Sequence, residues 1–158
     1  MEKLSFYGVG PKIGRVTLPY LAIAIALSII FPGIFTMGEA VQKPFMIAGI
    51  VLIVFAVAFY FSTLRLMLPG IRENRLITGG AYRLCRNPLY SAIILFFIPG
   101  LGLLTNSWLI ITTSVVGYVM FRLNVKKEED LLERIFGDEY RKYRDRTPLL
   151  FPNPFVKS

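Results

Sequence analysis

Two features of this chain have residue types and spacing that could support chemistry, and the first is a carboxylate. Glu128 lies three residues after Val125 and three or four before Leu131 and Leu132, so on a helix it shares their apolar stripe instead of pointing cleanly to water. A carboxylate there is costly unless a cation accompanies it. Two partners fit: a basic side chain (Lys126, Lys127 or an arginine from the middle of the chain), or a cationic ligand. The second feature is the stretch LITGGAYRLCRNPLY at residues 76–90. Gly79-Gly80 and Asn87-Pro88 are turn signals that fold the backbone tightly, and Tyr82 and Tyr90 can stack or offer hydroxyls. Tyrosines and arginines in such a position also serve as interfacial anchors. The sequence has no histidine and a single cysteine, Cys85. That disfavours histidine-based acid–base catalysis and a metal site, and it excludes an internal disulfide.

The elements that must carry these residues are membrane helices. Hydrophobic residues make up 54% of the 158-residue chain and the mean hydropathy is +0.57, yet 18 Lys and Arg against 10 Asp and Glu leave a formal charge of +8. Soluble domains seldom combine these properties. Residues 16–35 form an apolar run of about 30 Å as a helix, long enough for the hydrocarbon core and read as an uncleaved anchor, with Pro19 and Pro32 bending or fraying its ends. A second span covers residues 44–68 and stops at Arg65 and the breaker pair Pro69-Gly70. Residues 89–104 and 108–121 are shorter apolar arms joined by Thr105-Asn106-Ser107, a helical hairpin with a kink and close packing expected at Pro99, Gly100 and Gly102. Gly100 and Gly102 form no dinucleotide fingerprint, because no strand is expected beside them.

Four crossings put the amino terminus, the segment 69–87 and the tail on one side. That side holds Lys3, Lys12, Arg15, Arg65, Arg72, Arg75, Arg83, Arg86 and every basic residue from Arg122 to Lys157, against Lys43 alone opposite. The positive-inside rule makes it cytosolic. Charges that frame membrane exits argue for anionic lipid over nucleic acid. In the tail, Val125, Leu132, Ile135, Phe136, Tyr140 and Tyr143 recur at helical spacing, Gly137 is a helix stop and Asp138 an N-cap, so two amphipathic helices are expected before Pro148. The fold class is therefore all-α: a polytopic membrane protein of about four transmembrane helices, including the short hairpin, with a cytosolic amphipathic helical tail.

The segment LITGGAYRLCRNPLY, the short hairpin and then EEDLLERIFGDEYRKYRDRTP together resemble the integral-membrane methyltransferases typified by isoprenylcysteine carboxyl methyltransferase, with phosphatidylethanolamine N-methyltransferase as a relative. The likeness runs from about Met67 to Pro152. It implies S-adenosylmethionine as cofactor and methyl donor. Carried over by position, the cofactor contacts fall on Asn74, Arg75, Leu76, Ile77, Tyr82, Asn87, Pro88, Leu89, Tyr90 and Glu128, with Met67 a weaker one. Two positions depart from the pattern. Asn87 stands where the isoprenylcysteine enzymes have histidine, and Asn124 where they have a substrate-binding arginine. Asparagine cannot make the bidentate pair by which arginine holds a carboxylate. Asn124 and its possible substitutes, Arg122 and Arg146, are the catalytic candidates.

The resemblance thus implies a methyltransferase that moves a methyl group in line to a lipophilic or lipid acceptor from the membrane, while the missing histidines and the placement of charge argue against a metal and a nucleic-acid partner. A membrane reductase of related fold using NADPH and a non-catalytic membrane scaffold are the alternatives. One membrane domain is expected over residues 1–158, with the first two spans at 16–68 and the cofactor-binding segment, hairpin and tail at 69–158. The termini and cofactor site are expected to be cytosolic, in the plasma (inner) membrane of a prokaryote. The acceptor and the oligomeric state are not specified.

Overall fold

A computed structural model describes residues 8–155, so Lys3 and Lys157 of the basic side lie outside the described residues. Helix α1 spans Gly10–Ile30 and is followed by a single turn, α2, at Pro32–Phe35. Proline at 32 cannot donate to the helix before it, and Phe31 leaves helical geometry at φ −124°, so the first apolar run is divided there. Helix α3 spans Gln42–Arg72. It runs one turn past the expected stop at Pro69-Gly70. Glu73 N–H bonds to the Pro69 carbonyl at 2.9 Å, so the last turn closes without the hydrogen that proline lacks.

A short turn α4 (Ala81–Leu84) leads to the third apolar helix, Pro88–Leu104, built from α5 (Pro88–Ser91), a wide π-helical turn (Ala92–Phe97) and α6 (Ile98–Leu104). The expected irregularity is present, but it lies before Pro99 instead of at the glycines. Widening the preceding turn moves carbonyls out of the path of the proline ring. Gly100 serves packing: a Cβ on Gly49 of α3 would come 2.7 Å from the Gly100 carbonyl oxygen, so the two backbones touch.

Helix α7 covers Trp108–Phe136 without a break. The fourth span and the first tail helix are thus one element, because Arg122, Lys126 and Lys127 change the polarity of the sequence without interrupting its helical hydrogen bonds. The Ser107 hydroxyl caps α7 by accepting from Ile110 N–H. Gly137, at φ +53°, ends α7 and also takes the N-cap position of α8 (Asp138–Arg146). Asp138 is the first helical residue, not the cap, and pairs with Arg141 at 3.3 Å.

Helices α1, α3 and α7 are long and apolar enough to cross a bilayer, and the third helix is a shorter apolar one. Their exposed faces carry Leu18, Ile29, Ile47, Val54 and Val115, an arrangement that suits hydrocarbon. The chain is an all-α integral membrane protein. Helix α1 packs along α7, α7 against the third helix, and the third helix against α3. Polar contacts between helices fix the antiparallel register of α1 and α7: Tyr20 with Thr112 at 2.9 Å and Ser28 with Ser107 at 2.7 Å. At one end of the bundle Trp108 Nε1 donates to the Ile34 carbonyl at 3.1 Å. At the other end a cavity opens.

Candidate functional site

The cavity, about 170 Å³, forms where α1 begins, α3 ends, the third helix begins and α7 leaves its apolar stretch. The segment after α3 folds back because Gly70 lacks a side chain: a Cβ there would collide with Ile77. Asn74 makes the reversal at φ +48°, a conformation asparagine tolerates better than most residues. Gly80, at φ +60°, seats the next turn on Leu66, again where a Cβ would clash.

The tail then clamps this segment from outside. Tyr143 OH donates to the Tyr82 carbonyl at 2.6 Å, Arg86 N–H to the Pro148 carbonyl at 2.9 Å, and Asn87 Nδ2 to the Leu149 carbonyl at 3.1 Å. Ser91 Oγ bonds to the Leu150 carbonyl, and Asn153 N–H donates to the Leu84 carbonyl at 2.9 Å. Leu150 is buried among Ile94, Phe121 and Val125. Buried Cys85 sits 3.3 Å from Ser91 Oγ, and burial pushes its thiol up, which leaves it a poor nucleophile.

Two adjacent carboxylates enter the cavity with different partners. Glu129 pairs with Arg86 and accepts from Tyr140 OH at 3.3 Å. Glu128 has no ion pair among the described residues. It accepts weakly from Val9 N–H at 3.4 Å and from Tyr90 OH at 3.5 Å. Of the basic partners open to Glu128, Arg86 of the middle segment pairs with its neighbour Glu129, and Lys126 and Lys127 are exposed. Burial, and secondarily the Glu128 charge, push the Tyr82 hydroxyl well above its ordinary range, so it stays a neutral phenol.

Of the positions singled out in the sequence, Met67, Arg75, Leu76, Ile77, Tyr82, Asn87, Pro88, Leu89, Tyr90 and Glu128 line this one cavity. Asn74 shapes the turn beside it without lining it. Arg122, Asn124 and Arg146 do not line it either. Arg122 is exposed, Asn124 Nδ2 donates to the Met120 carbonyl of its own helix at 2.8 Å, and Arg146 Nε donates to the Lys142 carbonyl at 3.1 Å. The cavity also holds residues the sequence reading left out: Arg86 and Glu129, Gly8 and Gly10, and Tyr140 and Tyr143 of the tail. The two tyrosines had a signal, since they belong to the apolar stripe of an otherwise charged helix. The glycines had none.

Residues 44–139 match the phospholipid methyltransferase family, which is more than half of the chain and includes most of the cavity wall. The chain belongs to this family. Among individual relatives, 87 residues are 34% identical to the cobalt-zinc-cadmium resistance protein CzcN of Cupriavidus metallidurans, covering 55% of this chain and 40% of that protein. Similarity to protein-S-isoprenylcysteine O-methyltransferase B of Arabidopsis thaliana is 31% over 76 residues, 48% of this chain and 39% of the relative. The mouse protein-S-isoprenylcysteine O-methyltransferase is 32% identical over 84 residues, covering 53% of this chain and 29% of the relative. The matches therefore span well under half the length of each of these relatives. In this member of the phospholipid methyltransferase family the turn-rich segment, the short apolar helix and the glutamate pair all lie within the matched region. Its cavity also draws on residues at both ends that lie outside it.

Proposed function

We propose that the protein is a membrane methyltransferase that uses S-adenosylmethionine to methylate a lipophilic or lipid acceptor. One observation supports this most: a half-buried carboxylate, Glu128, faces the cavity beside two tyrosines with no cation of the described chain paired to it. Such a group suits a cationic ligand, and the cofactor carries a sulfonium and an ammonium. Arg75, Leu76, Ile77, Tyr82, the run from Asn87 to Tyr90, and Glu128 would hold it.

When bound, S-adenosylmethionine supplies a methyl group already activated on sulfur, so alignment and exclusion of water matter more than a strong acid or base. Glu128 balances the cationic charge. Leu132 and Phe136 keep the wall beside it apolar. An amine acceptor would have to lose a proton, and Tyr82, held neutral, is a poor recipient, which leaves Glu128 or water. The excess of basic residues at the cavity end supports a cytosolic cavity, with the acceptor arriving from the bilayer.

The test is binding and turnover by the purified protein in lipid nanodiscs. S-adenosylmethionine should bind and NADPH should not, and radiolabelled methyl should appear in a component of a total lipid extract. Binding of NADPH in preference would overturn the assignment, and cofactor binding without transfer to any lipid would identify a scaffold that retains the pocket.

A further inference from the structure

The chain before α1 approaches Glu128 from 119 residues away. Gly8 adopts φ +43°, and a Cβ there would lie 3.0 Å from both carboxylate oxygens of Glu128. Val9 N–H points at the same carboxylate. A Cβ on Gly10 would come 3.7 Å from the Tyr90 hydroxyl. The turn is held from behind: the Val9 side chain is buried with Phe121, Val125 and Leu150, and its carbonyl accepts from Ile13 N–H at 3.2 Å to start α1. This turn therefore stands close against the Glu128 carboxylate, and a Cβ at position 8, already strained by the positive φ, would press the carboxylate out of its place. The amide of Val9 is one of the donors that a helix start leaves without an internal partner, and it suits a carboxylate, not a carbonyl of another turn.

We propose that the Gly8-Val9-Gly10 turn is a positioning element of the cofactor site, one that orients the Glu128 carboxylate toward the cavity and sets how closely a cationic group can approach it. The turn lies outside the segment that matches the family. The proposal rests on the reading of the cavity as a cofactor site. A side chain at position 8 displaces the carboxylate, and loss of the Val9 contact leaves it free to rotate away from the bound cation.

The experiment is a double-mutant cycle in nanodiscs, with S-adenosylmethionine affinity measured by calorimetry. Gly8→Ala should weaken binding at least about tenfold, while Gly14→Ala, whose Cβ meets only Leu18 at an ordinary 3.7 Å, should bind as wild type with a similar thermal midpoint. Glu128→Asp shortens the acid and makes room, so Gly8→Ala should cost it less than threefold. Equal losses in the two backgrounds, or no loss from Gly8→Ala, would overturn the proposal. A second readout needs no cofactor. In protein labelled with 15N-valine, the Val9 amide resonance should shift in Glu128→Gln, and an unmoved resonance overturns the contact itself. Absence of S-adenosylmethionine binding by wild type, with the Val9 shift present, would instead reject the cofactor reading and keep the positioning contact.

Discussion

The two sides of the cavity are built from neighbouring residues and solve opposite problems. On the side of Glu129, charge is matched within the chain: Arg86 pairs with the carboxylate and Tyr140 adds a hydroxyl. On the side of Glu128, the partners are a backbone amide and a phenol at long hydrogen-bond distances, and no cation of the described chain is paired with it. Arg86 and Glu129 are only 12% and 20% exposed, so their pairing belongs to the structure's interior. A matched pair fixes the wall, whereas the carboxylate without a cation is the one that, on the proposed reading, a cationic ligand would meet.

Breaking the matched side should have the largest effect. Arg86→Met leaves Glu129 half-buried without a cation and removes a cavity wall, which should cost about 2–4 kcal/mol of stability, read as a lower thermal midpoint in nanodiscs. Restoring neutrality with Glu129→Gln in the same protein should recover part of the loss. If Arg86→Met unfolds at the wild-type temperature, the pair is not structural and the contrast between the two sides fails.

Changing the unmatched side should affect binding and spare stability. Glu128→Gln should weaken S-adenosylmethionine about 10- to 100-fold, equivalent to roughly 1.4–2.7 kcal/mol, with the thermal midpoint unchanged or raised because a desolvated charge is gone. A stability loss as large as that of Arg86→Met would show that both carboxylates are structural.

Smaller effects sharpen the boundary between the sides. Asn87 lines the cavity yet gives its amide to the tail at Leu149. Asn87→Ala should therefore cost about 1 kcal/mol of stability and only a few-fold in cofactor affinity, measured in the same assays. Tyr140 tests the matched side through pH. Burial, with the Glu129 charge adding to it, pushes its hydroxyl up from 10.0 to about 12. The unfolded chain ionises first, so the stability from keeping Tyr140 neutral is complete below about pH 10 and is lost as pH rises toward 12. Tyr140→Phe should flatten that alkaline decline.

Much of this was legible in the sequence, and the parts that were not share a cause. The apolar runs, the hairpin turn at 105–107 and the helix stop at Gly137 are local, so spacing reveals them. Most positions carried over from the family resemblance also meet in one cavity, because turn glycines such as Gly70 and Gly80 bring the segment onto α3 and the tail secures it. The unbroken length of α7 is not visible at Arg122, since a change from apolar to charged residues marks an environment and not an end of hydrogen bonding. Asn124 and Arg146 drew attention by type and place, yet their side chains bond to their own helices.

The sequence by itself determined that this is a helical membrane protein with a basic side, and that one glutamate shares an apolar stripe, because hydropathy and helical period depend on near neighbours. Only the tertiary structure decided which of two adjacent glutamates receives the arginine 43 residues away, and that a glycine turn at the start of the chain closes on the other. Those outcomes depend on where the helices bring distant backbone together. A single step of about 100° around α7 separates Glu128 from Glu129, enough to give one a cation and leave the other in the same cavity with only an amide and a phenol.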